Sequence, residues 1–408
     1  MIRALLWAYR EAYSGLPRAV WVLAITLFIN RAGNMVLPFV ALYLTSAMHA
    51  SPSQVTLALS AHGVGAMLGA NLGGRLCRVF NYHLIQVGSL LLSGLGLLAL
   101  LRVTTPEGVA LSFLWISTMS EAFRPANGAA VTSACSAQDR ARAMALVRMA
   151  VNLGMTVAPA IGGLLVGIDY SWIFWVDGGT CLLAALFLMA TPYHKQAGGR
   201  PSSSQSTSHS PWKDKKMWLL IGLSYPTMLI FFQLLTTWPL YLTQERGFSE
   251  FQFGLFMALS TLLIVVFEML LAHKLATARH WKVIAVGALL VGLGLGVMPL
   301  AGSGFTLALT VFVWTFGEML FVPFLSSEVA NLSDDDNRGA YMGLYTFSFA
   351  TAWVVAPIIG MAIYSHWGGQ ILWPMCGLTA IFQFLAFQMC SNWYSNAVSK
   401  SGQAVFPK

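Results

Sequence analysis

Glu121 and Arg124 stand three positions apart in a long stretch with few other charges. Residues at i and i+3 of a helix share a face, so this carboxylate and guanidinium can pair. Gly128, seven positions after Glu121, falls on the same face. Glu318 occupies an equally apolar setting, with no basic residue within one helical turn of it in the sequence. Arg31 sits in a third such stretch, flanked by Asn30 and Asn34. In a membrane each ionisable group costs at least about 2.5 to 3.5 kcal/mol at mid-depth, which marks each as a functional candidate. Burial favours the neutral form of a carboxylate and a nearby cation favours the charged form. A carboxylate held between these pulls can load and unload a proton as water access changes. Glu318 and Glu121 are therefore the candidate proton carriers, with Arg124 and Arg31 as the cations that tune them.

The elements that must position these groups are membrane helices. Of 408 residues, 57% are apolar and 9% charged. A soluble domain carries roughly 25% charged residues, so this chain has too little polar surface to cover a globule in water. About 20 apolar residues make one span. The apolar runs predict spans at 18–45, 52–76, 84–103, 107–135, 140–167, 170–191, 216–243, 250–275, 282–301, 304–331, 338–364 and 369–393. The first run is expected to act as an uncleaved signal anchor. Residues 193–215 are rich in Ser, Gly and Pro and read as a flexible linker between the halves 1–192 and 216–408. Five cysteines are scattered without metal or redox spacing, and no nucleotide-binding loop appears, so no cofactor is expected. The net charge of +8 comes from basic residues placed singly between apolar runs. Such placement orients helices and does not suit nucleic acid. With both termini cytoplasmic, most of the 23 Lys and Arg residues fall inside, and Arg102 and Arg246 fall outside.

The halves repeat. Leu42-Tyr43-Leu44-Thr45 recurs as Leu240-Tyr241-Leu242-Thr243, an offset of 198 (241 − 43). Gln54 and Gln252, Pro125 and Pro323, Arg140 and Arg338, and Val157-Ala158-Pro159 and Val355-Ala356-Pro357 keep that offset. Glu121 and Glu318 lie at nearly the same depth, 197 apart (318 − 121). Six spans per half start each half on the same side, so the repeat is parallel. The fold class is an all-α membrane protein of twelve transmembrane helices in two parallel pseudo-repeat six-helix bundles.

Across nearly its whole length the sequence resembles the major facilitator superfamily, and within it the twelve-helix drug:proton antiporters. Gly154-x-x-x-Ala158-Pro159-x-x-Gly162-Gly163 on the fifth span resembles the antiporter motif, with Ala in a usual Gly place. Arg124-x-x-Asn127-Gly128 on the fourth resembles the Arg-x-x-Gln-Gly motif. The loop Gly74-Arg75-Leu76-Cys77-Arg78-Val79 departs from the family pattern: Arg78 stands where an Asp is usual. Small residues spaced by four let helices approach closely, and Pro159 can bend its helix, so this seam is a candidate gate. The resemblance implies that the first, fourth, seventh and tenth spans line a central cavity. It thus groups Arg31, Glu121, Arg124 and Glu318 around one pathway. Asn30, Asn34, Tyr43, Asn127, Trp238, Tyr241, Trp314 and Phe321 become candidate substrate contacts. Glu268 and Asp177 are expected to pair with neighbouring helices, and His62 to be a packing residue. Asp334–Asp336 are expected in a solvated loop.

The expected function is secondary active transport in a bacterial inner membrane: proton-coupled export of small amphipathic molecules, by a monomer rather than an enzyme. A transporter dedicated to one metabolite, such as a siderophore or nutrient, is the alternative. A receptor or scaffold of the same fold would gain nothing from the insertion cost of its buried carboxylates.

Overall fold

A computed structural model describes residues 15–77, 79–136, 139–191, 210–275, 278–333 and 337–399, without the side chains of Ala141, His273 and 392–399. Arg78, Asp334–Asp336, most of the 193–215 linker and both chain ends lie outside the described residues. Everything regular among those described is helical. Among the described residues, eleven helices are long and apolar enough to cross a membrane. The fourth span, Pro106–Ala134, is long enough but carries Ser112, Ser117, Thr118, Glu121, Arg124 and Asn127, which lower its apolarity. With it the helices number twelve, as expected.

The pseudo-repeat extends to helix starts. Pro52 and Glu250, Tyr82 and His280, Pro106 and Gly304, Arg140 and Arg338, and Ser171 and Gly369 each begin a span at an offset of 198 (250 − 52, for example). Local chemistry repeats with them. Ser51 and Gln54 cap one helix reciprocally, and the Ser51 N–H donates to Gln54 Oε1 at 2.9 Å. Ser249 and Gln252 do the same at the same distance. Such a box satisfies two end groups that would otherwise lack partners.

The first and seventh spans differ from the expected unbroken helices. The first runs Arg18–Ala32, breaks, restarts as Val36–Leu42 and closes with a wide π-type turn, Tyr43–Ala47. The seventh runs Lys215–Phe232, tightens at Gln233–Leu235, restarts as Thr237–Leu240 and ends in the π-type turn Tyr241–Glu245. Each restart has a proline, Pro38 or Pro239, in its first turn, where no backbone donor is required. π-type turns of this kind often mark functional positions.

The chain divides into two compact units: residues 1–202 with 249–261, and residues 203–248 with 262–408. In the first, Val20, Leu23, Phe123, Leu146 and Leu188 form the core. In the second, Met217, Ile284, Phe321, Phe324 and Phe387 do. Leu57, Leu111, Leu164, Phe305 and Phe382 are exposed, as a lipid-facing surface requires.

Candidate functional site

Two clusters of ionisable groups lie within the spans of the first unit. On the fourth span, Arg124 Nη1 lies 3.6 Å from Glu121 Oε2, the pairing their spacing predicts. The Arg124 side chain is 75% exposed and that of Glu121 24%. A contact this open contributes at most about 1 kcal/mol, so it does little to hold the helix together. Pro125 follows directly inside the helix and has no N–H, so the Glu121 carbonyl lacks its usual helical donor. Backbone and side chain together make position 121 a polar patch at mid-helix.

The second cluster lies at the break in the first span. Asp177 of the sixth span, 4% exposed, places Oδ2 3.2 Å from the backbone nitrogens of both Met35 and Val36. They lie where the helix stops and restarts, and the Met35 N–H also reaches the Gly33 carbonyl at 2.7 Å. Arg31 lies in the last turn before this break. Its Nε is buried without a hydrogen-bond partner. Asn30 Nδ2 lies 3.2 Å from Cys181 Sγ, one helical turn beyond Asp177. Gly33 is required here, since a Cβ would collide with the Thr180 side chain. Asp177 was expected to pair with a neighbouring helix; it does so by capping an internal end of the first span. The break and the clasp were both missed in the sequence. Gly33 five residues before Pro38 was the available signal.

The fifth-span motif packs the first unit. A Cβ on Gly154 would come within 2.7 Å of Arg31 Cβ and 2.8 Å of the Ala32 nitrogen. Gly162 lies against Met35 and Phe39, and Ala158 is fully buried. The motif therefore grips the first span on both sides of its break. Gly163 abuts Glu250 and Phe251, and Gly254 abuts the Pro159 carbonyl. Pro159 frees the Met155 carbonyl, towards which the Thr261 hydroxyl points at 3.4 Å. A second small-residue ridge was not singled out in the sequence. Gly65, Gly69 and Gly73 of the second span meet the backbone of the fourth at Leu114, Thr118 and Ala122. Their spacing of four was the signal.

Several side chains named as candidate substrate contacts are packed in the interior. Trp238 is fully buried and packs edge-on against Trp314, ring centroids 5.9 Å apart. Tyr241 is fully buried against Trp373, and its hydroxyl accepts from Arg246 Nη1 at 3.1 Å. Phe321 belongs to the second unit's core. Asn127 is buried, and its Oδ1 accepts from Gln86 Nε2 at 3.1 Å. All five side chains are committed to packing inside their own unit. Tyr43 is half-buried against Phe174 and Tyr170 at 4.9 and 5.8 Å. Asn30, Asn34 and Glu318 are half-buried. Among the described residues no three His, Cys, Asp or Glu side chains come together to hold a metal.

A family model described as the Major Facilitator Superfamily matches residues 23–357. The chain belongs to the Major Facilitator Superfamily. It is a membrane transporter and not an enzyme. It is 23% identical over 381 residues to "Multidrug resistance protein MdtH" of Aeromonas hydrophila, covering 91% of this chain and 94% of that one. It is 22% identical over 364 residues to an uncharacterized MFS-type transporter, YhjO, of Bacillus subtilis, covering 87% and 89%. Among solved structures, a peptide transporter POT superposes with a TM-score of 0.79 at 17% identity, covering 94% and 96%. The nucleoside transporter NupG gives 0.79 at 14% identity, covering 91% and 99%. At such identities the solved structures speak for the major facilitator fold alone.

Proposed function

We propose that this major facilitator protein exports small amphipathic molecules by proton-coupled alternating access. It does so as a monomer in a bacterial inner membrane, with both termini and the 193–215 linker cytoplasmic. The observation that carries the reading is the mid-helix pair Glu121–Arg124, whose guanidinium is three-quarters exposed on a helix long enough to span a bilayer. An Arg side chain facing hydrocarbon carries a heavy insertion cost. The same side chain facing a water-filled path does not, and the carboxylate beside it can exchange protons with that water. Relatives named for multidrug resistance support efflux as the direction and amphipathic molecules as the cargo. Glu318 and Glu121 carry the proton in this reading, Arg124 and Arg31 tune them, and Asn30 and Asn34 supply polar contacts to substrate.

The test is a screen of fluorescent amphipathic cations and neutral dyes in proteoliposomes with an imposed pH gradient. At least one probe should accumulate about tenfold, an effect of about 1.4 kcal/mol, and a protonophore should abolish it. Transport indifferent to the gradient for every probe moved would overturn proton coupling. Orientation has its own check. Single cysteines in the 193–213 segment should react only with membrane-permeant reagents in intact cells; labelling by an impermeant maleimide would reverse the topology.

A further inference from the structure

Both halves break their first helix, and the two breaks are fastened by different chemistry. In the second unit the clasp is Gln233. Its Oε1 accepts from the Thr236 and Thr237 hydroxyls at 2.9 Å each, and its Nε2 donates to the Ala356 carbonyl at 2.9 Å. That clasp is neutral at every accessible pH. In the first unit the clasp is the Asp177 carboxylate, one oxygen accepting from the Val36 N–H and, shared with the Gly33 carbonyl, from the Met35 N–H, at 3.2 Å each. Here the hinge depends on a group that can gain a proton.

We propose that Asp177 is a positioning residue for transport, whose charge state sets the hinge of the first span while the second unit's hinge stays proton-blind. Hydrogen bonds to an ionised acceptor are roughly twice as strong as neutral ones. A proton from water that adds to the carboxylate weakens both bonds to Met35 and Val36. It also removes a negative charge beside the turn that bears Arg31, whose Nε is buried without a hydrogen bond. Arg31 then has reason to leave, and it sits in the last turn before the break. The charged and titratable groups facing Asp177 are Arg31 from the first span and the Cys181 thiol, 3.9 Å away on its own helix. The third span brings Gly94 against Cys181 and Gly178, and the fifth brings Gly154 against Arg31, neither of which titrates. Gly154 grips the turn before the hinge residues 33–36, and Gly162 grips Met35 within them and Phe39 beyond. Loosening the clasp therefore frees one half of the span relative to the other. The proposal rests on the proton-coupled reading for the use of this motion in transport.

The test is backbone hydrogen exchange of the full-length protein in lipid nanodiscs, from about pH 5.5 to about pH 8.5, corrected for intrinsic rates. The segment 33–39 should exchange about tenfold faster at the acid end, and 233–239 should show no such change. Asp177→Asn gives the first break the neutral acceptor that Gln233 gives the second, so its exchange should be the same at both ends of the range. The same variant should flatten the pH profile of transport while leaving KM for the probe unchanged; a purely structural cap would keep the wild-type profile. Wild-type exchange at 33–39 that ignores pH overturns the proposal. So does a pH response that survives in Asp177→Asn. If that variant does not fold, the wild-type comparison of the two hinges decides alone. A responsive hinge without gradient-driven accumulation sinks the proton-coupled reading instead, and accumulation with an unresponsive hinge sinks only this one.

Discussion

Glu318→Gln should abolish uphill transport driven by a pH gradient and leave exchange down a substrate gradient intact. Glutamine keeps the size and hydrogen-bonding capacity of a protonated carboxyl and cannot release a proton. Glu318 is half-buried at mid-length of the tenth span, 197 residues after Glu121 (318 − 121), and so occupies the matching depth in the second repeat. A carboxylate there is open to competition between proton and substrate, the simplest route to antiport. A neutral probe should still bind the variant, and a cationic probe should bind more weakly because its countercharge is gone. Proteoliposomes assayed in both modes, wild type beside variant, measure the effect. Accumulation should fall at least about tenfold, and exchange should stay within about twofold of wild type. If the variant still concentrates the probe on the pH gradient alone, the proton rides elsewhere. Glu121 becomes the candidate, and Glu318 becomes a substrate or packing contact.

Gly69→Val prevents normal assembly of the first unit. A Cβ at this position would collide with the Thr118 carbonyl oxygen and lie 3.0 Å from Thr118 Cα. These are backbone atoms of the fourth span, so no rotamer change relieves the clash. The two helices must separate, and the neighbouring contacts of Gly65 and Gly73 go with them. Overpacking of this kind typically costs about 1–3 kcal/mol, and a rigid seam belongs at the upper end. The seam also sets the rotation of the helix that bears Glu121 and Arg124. Detergent-solubilised protein followed by size-exclusion fluorescence over a thermal ramp should show a lowered midpoint and reduced yield. Gly222→Ala is the control, because nothing lies within 4 Å of its Cβ position. Equal behaviour of the two variants would remove the seam from the account.

The ion pair was legible because it is local. Three residues on one helix fix which side chains meet, whatever packs around them. The Asp177 clasp was not, since its acceptor and its donors are 142 and 141 positions apart. Nothing at position 177 announces that a helix beginning near residue 18 will break at residue 33. Gln233 shows the same limit: its partners include the Ala356 carbonyl, 123 positions away.

By itself the sequence determined the membrane class, the twelve helices, the repeat with its offset of 198, and the positions at which spans begin. Apolar length and end caps act within a few residues, so helix starts such as Pro52 and Glu250 fall where local chemistry puts them. Tertiary structure alone decided which faces look inward. In a soluble helix the polar stripe marks the solvent side. In a membrane helix the lipid side and the packed side are both apolar, so the pattern carries little rotational information. Trp238, Tyr241, Trp314 and Phe321 lie on helices that the family resemblance assigns to a cavity, yet each is buried in its own unit's interior. Only the rotation of those helices, set by close contacts such as Gly294 against Trp314 and Gly369 against Tyr241, turns these rings into the protein.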